Sequence, residues 1–198
     1  MDKTTLLNMI TANGEELKLV KHLDESVLNI SGPQRMRVRN AVQFLSHSMA
    51  SLAWKCFPRR PGIGNFFEII NNGFDVLNSR FTLDKKNQLR SDFGLFIENQ
   101  LEAIDTLEET IESLRFRTPK GNAISVLLPC QQGFLISIRS LKALYEDLKI
   151  RNSVTYILTS RLNQDSLESL FGRIRSFGGP NTHPTAVEFR YRLKLVLF

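Results

Sequence analysis

Residues 87–115 carry apolar side chains at intervals of mostly three and four positions, and this pattern limits the fold more than any other feature. Such spacing is typical of an amphipathic α-helix, here about eight turns long, whose apolar face must pack against other elements. A chain of 198 residues, 42% of them hydrophobic, can supply that partner surface within one sizeable core. The apolar positions are Leu89, Phe93, Phe96, Ile97, Leu101, Ile104, Leu107, Ile111 and Leu114.

The rest of the chain is also predicted to be mostly helical. Only Val154–Leu158 has the composition of a strand, and it is short. The fold class that follows is mainly α. The predicted helices are two short ones within residues 4–24, separated at Asn13 and Gly14, one long amphipathic helix over 36–56, and one each over 66–77 and 133–149.

The charge balance is moderately basic. The chain has 26 Lys and Arg against 20 Asp and Glu, a net charge of +6 and an isoelectric point near 9.5. This excess favours an anionic partner, either nucleic acid, a nucleotide or an acidic membrane surface, and it does not separate the three. Acidic residues nevertheless line the outer face of the 87–115 segment, where we expect a solvated surface.

Several classes of protein are excluded by what the sequence lacks. No apolar run approaches the roughly 18 to 20 residues of a membrane span, and the first ten residues do not resemble a secretory signal. Cys56 and Cys130 lie far apart with no histidine nearby, which argues against both a disulfide framework and a zinc site. We therefore expect an intracellular protein with reduced thiols and no membrane partner.

The common nucleotide and catalytic motifs are absent. The sequence has no Walker-type Gly-x-x-x-x-Gly-Lys-Ser/Thr, no Gly-x-Gly-x-x-Gly after a strand, and no Gly-x-Ser-x-Gly, zincin or kinase signature. Gly62–Asn65, which follows Arg59 and Arg60, could cradle a phosphate, although a loop is the simpler interpretation.

The segment 156–185 is unusually polar. Asp165 and Glu168 are three positions apart and so share one face of a helix, with Arg173 and Arg175 within the next two turns. A carboxylate beside arginines could hold a hard cation that faces a phosphate backbone. A solvent-exposed acidic pair followed by helix-end arginines is the plainer alternative, and spacing alone favours it.

Leu162–Asn181, which reads LNQDSLESLFGRIRSFGGPN, together with Pro184, Thr185 and Ala186, resembles the C-terminal catalytic signature of the P-element-type transposases, the THAP-domain transposase family. Three upstream blocks, 36–48, 74–80 and 132–137, are similar to that family's helical GTP-binding insertion domain. The resemblance covers most of the chain, is strongest over 156–186 and is weakest before residue 30.

The resemblance implies a division into two parts. Residues 1–150 would form the helical GTP-binding insertion domain, and residues 151–198 the C-terminal helical end of a ribonuclease-H-like fold. In this family two aspartates and one glutamate hold Mg²⁺ for DNA cutting and joining. By matching positions, Glu168 would be the third acidic metal ligand and the catalytic glutamate, and Asp165 would lie near the nucleotide.

The resemblance also implies a guanine nucleotide site. Asp75 would accept from the N–H groups of the guanine ring and Asn78 would support that edge, unless the two are helix-end caps. Arg37 could instead be solvated surface and Ser46 a hydroxyl at the edge of the core. The residues that would meet or lie near the phosphates are Lys21, Arg37, Val38 and Ser46.

The family pattern places a DNA-binding zinc finger, a coiled coil and both catalytic aspartates ahead of the segment that Met1 opens. We therefore expect a partial transposase that does not cut DNA alone, with DNA and GTP as partners and a full-length transposase as a further one. Its expected location is the nucleus, or the cytoplasm if the chain is only a fragment. The alternative is a helical module, derived from a transposon, that binds protein or DNA and has no nucleotide ligand. In that case Arg173, Arg175, Arg190, Arg192 and Lys194 would contact DNA.

Overall fold

The structure, a computed structural model, describes residues 3–14, 18–21, 23–24, 32, 38–80, 82–118, 120–179 and 183–197. The described part of the chain is mainly α-helical, as the sequence predicts, with two isolated β-bridges in place of a sheet. The helices are α1 (Lys3–Asn13), α2 (Val38–Phe44), α3 (His47–Cys56), α4 (Gly62–Leu77), α5 (Ile97–Ser113), α6 (Pro129–Asn152), α7 (Asp165–Ser176) and α8 (Ala186–Leu197).

Two of the predicted helices differ from the observed ones. The segment 36–56 is not one helix, because the Ser46 hydroxyl accepts from Met49 N–H and caps a new helix, α3. The long segment 87–115 becomes helical only at Ile97. Before it lie a 3₁₀ turn, Gln88–Arg90, and an antiparallel bridge between Phe93 and Ile157. Among the described residues, this bridge is the only strand-like pairing of the predicted strand 154–158.

The second short helix predicted within residues 4–24 is not observed among the described residues there. Lys18–Lys21 form bends and a turn, and Leu17 lies outside the described residues. The buried Asn13 side chain holds this segment, since its amide donates to Val20 O at 2.7 Å and its oxygen accepts from Val20 N–H at 2.9 Å.

In the part of the chain that the structure describes, two apolar clusters form the core. In the first, α3 packs between α1 and the start of α4, with Met9, Met49 and Phe67 fully buried. In the second, α4, α5 and α6 enclose Ile104, Ile138 and the bridge residue Phe93, whose ring meets Tyr145 edge to face at 5.3 Å. Helix α4 contributes to both clusters and so joins the two halves of the helical body.

Two glycines of α4 allow its neighbours to approach closely. A Cβ atom on Gly64 would lie 2.3 Å from the Trp54 indole of α3, and one on Gly73 would lie 2.3 Å from a methyl of Leu107 on α5. Both contacts are far shorter than van der Waals distance, so larger side chains would force the helices apart.

The acidic face of α5 is not simply solvated, contrary to the expectation above. Glu108 accepts from Arg139 Nε and Lys142 Nζ of α6, both at 2.7 Å. Glu112 and Asp105 also pair with these two cations. The bonds from Lys142 and Arg139 lower the pKa of the Glu108 carboxyl, so it remains ionised and holds α5 against α6.

Helices α7 and α8 form a pair near the end of the chain. The Phe171 and Phe189 rings meet at 6.2 Å, and Thr185 and Glu188 form a reciprocal capping box at the start of α8. Arg192 is buried beside Gly178 and 3.7 Å from Glu188. Among the described residues, no helix is both long enough and apolar enough to cross a membrane.

Candidate functional site

Asp75 is the centre of the most developed polar cluster near the predicted nucleotide residues. It lies in the last turn of α4, and its side chain is 12% exposed. Its Oδ2 atom accepts from Arg90 Nε at 3.1 Å, Asn87 Nδ2 at 3.1 Å and Asn71 Nδ2 at 3.4 Å. Among the described residues, no donor is bonded to Oδ1. Asp75 therefore has one heavily used oxygen and one with remaining capacity to accept.

The environment of Asp75 acts on its pKa in two directions. Burial raises the pKa of the carboxyl above its ordinary value, Arg90 opposes this through its charge and its hydrogen bond, and Asp84 and Glu68 add to the rise. The net pKa is raised, so the ionised carboxylate depends on the donors around it.

Asn71 connects Asp75 to the start of α3. The Asn71 side-chain oxygen accepts from His47 N–H at 3.3 Å while its amide donates to Asp75. His47 also meets Glu68 at 2.8 Å. The start of α3 is therefore joined to Asp75 through Asn71, whereas the Ser46 hydroxyl bonds only within its own segment, to Gln43 O and Met49 N–H among the described residues.

Asn78 connects the end of α4 to the segment that precedes α7. Its side-chain oxygen accepts from Asn163 Nδ2 at 3.1 Å. Beneath this contact, the buried Thr159 hydroxyl donates to Val76 O at 2.6 Å and accepts from Ser79 N–H at 2.8 Å. These bonds bring a segment 80 to 85 positions away onto the end of α4, and Asp165 begins α7 two residues after Asn163.

A small cavity lies beside this cluster. It has a volume of about 160 Å³ and is lined by Phe74, Asp75, Asn78, Arg80 and Arg90. Pockets that enclose whole drug-sized ligands measure about 300–1,000 Å³, so this cavity could hold the edge of a base but not a complete nucleotide.

Gln100 organises the segment that carries Arg90. It is fully buried in the first turn of α5, and its amide donates to Ser91 O at 3.0 Å and Asp92 O at 3.1 Å. Its oxygen accepts from Gly94 N–H at 2.9 Å. We did not predict a role for Gln100 from the sequence, although a signal was present. Gln100 is a polar residue at helical spacing between the apolar positions Ile97 and Ile104.

Asp92 is buried without compensation. It has no exposed surface, and neither carboxylate oxygen has a hydrogen-bond partner among the residues that the structure describes. Burial raises the pKa of the Asp92 carboxyl above the ordinary value of 3.8, and the nearby Thr82 hydroxyl, which lies outside hydrogen-bond geometry, only partly offsets this.

We expect Asp92→Asn to become more stabilising, relative to the original chain, as the pH rises. The folded state holds the Asp92 proton more tightly than the unfolded state. The original chain therefore loses stability as the pH rises from about 3.8 to the raised pKa. The loss is about 1.4 kcal/mol for each pH unit between the two pKa values. Urea unfolding of both chains from pH 3 to pH 8 measures it, and a difference that does not change with pH would contradict it.

The other predicted site residues are less closely placed. Lys21 is exposed, and Arg37 lies outside the described residues. Val38 begins α2 and Asp165 begins α7, but their side chains lie outside what the structure describes. The structure therefore brings Asp75 and Asn78 together at the cavity and joins the start of α3, next to Ser46, to Asp75 through Asn71.

Glu168 lies in the first turn of α7 and is exposed. Over the residues that the structure describes, no group of three or more His, Cys, Asp or Glu side chains could hold a metal ion. The described carboxylates therefore do not by themselves fit a Mg²⁺ centre around Glu168. The roles of Glu168 in metal binding and catalysis stay predictions.

Comparison with known proteins connects both halves of the chain to transposases. A family model described as the TNP-like RNase H C-terminal domain matches residues 160–191. The Transposable element P transposase of Drosophila melanogaster is 31% identical over 188 residues, which are 92% of this chain and 24% of that protein. The human DNA transposase THAP9 is 26% identical over 197 residues, which are 93% of this chain and 21% of that protein.

A solved structure gives the same result for the fold. The Drosophila P element transposase strand transfer complex matches with a TM-score of 0.87 and 28% sequence identity, covering all of this chain and 45% of that chain. The chain spans about a quarter of the length of the curated relatives. The sequence similarity, the matching helical fold and the RNase H C-terminal segment agree, and the chain is a homologue of the P-element transposase over the region that the two share.

Proposed function

We propose that this part of a P-element-type transposase binds a guanine nucleotide, with the base at Asp75 and Asn78 in the helical region 1–150. Residues 151–198 then supply the C-terminal end of the ribonuclease-H-like domain. The similarity to transposases over nine-tenths of the chain supports the general role. The arrangement at the end of α4 supports the nucleotide.

The observation that carries the proposal is the partly buried Asp75 carboxylate beside a cavity, with Oδ1 accepting no bond from a described residue. Guanine presents two adjacent donors, N1–H and the 2-amino group, and a carboxylate can accept both. Adenine presents an acceptor, N1, at the corresponding position. Asp75 would thus favour guanine by hydrogen bonding and disfavour adenine by repulsion between acceptors.

The phosphates would extend away from Asp75 toward α2 and α3. The His47 N–H at the start of α3 is connected to Asp75 through Asn71, and Ser46 is the residue before it, so a nucleotide that extends from Asp75 in this direction would pass the α3 N-terminus. We propose Lys21, Arg37 and Val38 as further residues near the phosphates. They have this role only by resemblance to the family.

Glu168 and Asp165 belong to the second half of the proposal. When bound in a complete site, Mg²⁺ would supply charge for phosphoryl transfer, and Glu168 is the proposed ligand from this chain. Several apolar side chains of α7 and α8 are exposed, among them Leu167 at 55%, Val187 at 78% and Tyr191 at 65%. This surface is consistent with a C-terminal part that packs against the remainder of a ribonuclease-H-like domain.

DNA is the proposed macromolecular partner, through exposed basic side chains of α7 and α8, and the nucleus is the proposed location. Arg173, Arg175, Arg190 and Lys194 are exposed and accessible to phosphate. Arg192 is not, because it is buried against Gly178, so it is removed from the predicted set of DNA contacts. Neutralising Arg173 and Arg175 together tests this contact through the salt dependence of DNA binding.

Calorimetric titration with GTP and with ATP tests the nucleotide proposal. We expect GTP to bind at least about a hundredfold more tightly, because a site built to hydrogen-bond one edge leaves buried groups unpaired with the other. Equal affinity for the two nucleotides, or no binding of either, would refute the proposal. If neither GTP nor ATP binds and DNA binding weakens with salt, the results would favour the alternative of a helical DNA-interaction module without a nucleotide ligand.

A further inference from the structure

We propose that Arg90 and a guanine base are alternative partners of Asp75, so that Arg90 acts as an internal competitor for the nucleotide. The inference rests on the proposed function, because it concerns the same carboxylate. It assigns a role to a residue that neither the sequence patterns nor the family resemblance identified.

The two carboxylate oxygens of Asp75 carry very different numbers of hydrogen bonds. Oδ2 accepts from Arg90, Asn87 and Asn71, which fills its capacity, while no described residue donates to Oδ1. Guanine has two donors and needs both oxygens. Its N1–H or its 2-amino group can bond to Oδ1 at once, but the second donor must replace one of the three at Oδ2.

The three donors at Oδ2 differ in how many other contacts hold them. Arg90 lies at the end of a 3₁₀ turn and its side chain is 52% exposed, so a solvated position is available to it. Asn71 is held by a second bond to His47 N–H, and Asn87 is held by a second bond to Leu89 N–H. Arg90 is therefore the donor whose release disturbs the fewest other contacts.

Arg90 and guanine are also chemically similar as partners of a carboxylate. A guanidinium and the guanine edge both present planar N–H donors on neighbouring nitrogens, the arrangement that suits a carboxylate. Arg90 also lines the 160 Å³ cavity. Its departure would free Oδ2 at the wall of that cavity.

The exchange also affects the charge on Asp75. Burial raises the pKa of this carboxyl and Arg90 lowers it, while Asp84 and Glu68 act in the same direction as burial. Glu68 is itself paired with His47, and Arg80 is the other charged residue that lines the cavity. Without Arg90 the pKa of Asp75 rises further. Binding that needs the carboxylate should then be lost at a higher pH.

The test compares GTP with inosine triphosphate, which lacks the 2-amino group, on the whole chain and on Arg90→Met. At pH 8 we expect the variant to bind GTP about twofold to fivefold more tightly, the range given by an exposed ion pair. Inosine triphosphate needs only Oδ1, so its affinity should not change. The acid limb of GTP binding should move to higher pH in the variant.

Lys85→Met is the matched control. It removes one positive charge from the same loop, and Lys85 does not contact Asp75 or act on its pKa. Its GTP affinity should equal that of the original chain. Equal gains for GTP and inosine triphosphate in Arg90→Met, or no gain for GTP, would overturn the competition while leaving GTP binding intact. Failure of both chains to bind GTP would overturn the proposed function together with this inference.

Discussion

Replacing Asp75 with asparagine is expected to weaken GTP binding by about thirtyfold or more. One carboxylate oxygen becomes an amide that donates, and it would face a guanine donor. A hydrogen bond to a charged group contributes about 1.5–3 kcal/mol, and the variant loses this and adds a donor–donor conflict. Calorimetric titration of both chains with GTP measures the change.

The same substitution should transfer the preference to xanthosine triphosphate. Xanthine keeps the N1–H donor and carries an oxygen where guanine has its amino group, so the asparagine amide and oxygen match it in full. Recovery of affinity with this nucleotide would show that the side chain reads the base edge. Loss of GTP binding without any gain for xanthosine triphosphate would point to a structural role for Asp75 instead.

Asp147→Asn is the control for Asp75→Asn. Asp147 is an aspartate on α6 that is paired with Arg151 at 2.7 Å, so this change also breaks an Asp–Arg ion pair but does so away from the cavity. We expect its nucleotide affinity to be that of the original chain. A comparable loss of GTP binding in this control would mean that surface charge, and not base recognition, governs the affinity.

Gln100→Leu is expected to cost about 3 kcal/mol of stability, the largest loss that we predict from a single polar side chain here. Leucine has a similar volume, but it leaves Gly94 N–H and the carbonyls of Ser91 and Asp92 without their partner. Each unsatisfied buried group costs about 1–3 kcal/mol. For a chain of this size the loss corresponds to a fall in Tm of about 6–12 °C.

Thermal and urea unfolding measure the effect of Gln100→Leu, with Glu109→Leu as the control on the same helix. Glu109 is exposed, so its replacement should change stability by less than about 0.5 kcal/mol. Equal effects of the two substitutions would show that the Gln100 hydrogen bonds do not hold the segment 88–94. GTP binding of Gln100→Leu should also change, because that segment positions Arg90 beside Asp75.

Apolar periodicity was enough to predict a mainly α-helical fold, because the packed faces of α4, α5 and α6 follow it closely. Periodicity failed where the apolar spacing continues without interruption from one structural element into the next. Leu45 and Met49 continue the same spacing across the cap at Ser46, so the pattern cannot show that one helix ends and another begins. Likewise Phe93 and Ile97 are four apart, although Phe93 pairs with Ile157 in a bridge.

The candidate site, like the fold, was only partly predictable from the sequence. Asp75, Asn78 and Ser46 were predicted through the family resemblance, and the structure places the first two beside one cavity. Asn71, Arg90 and Asn163 could not be predicted, because their roles depend on contacts made only after α3, α4 and the segment before α7 have packed. Local sequence carries no signal for a hydrogen bond between residues eighty-five positions apart.

The most direct test of guanine recognition at Asp75 is a crystal structure of this chain with GTP bound. We expect guanine N1 and the 2-amino nitrogen to lie within about 3 Å of the two Asp75 oxygens, with Arg90 moved away from Oδ2. A guanine base bound elsewhere, with the contact between Arg90 and Asp75 unchanged, would contradict it.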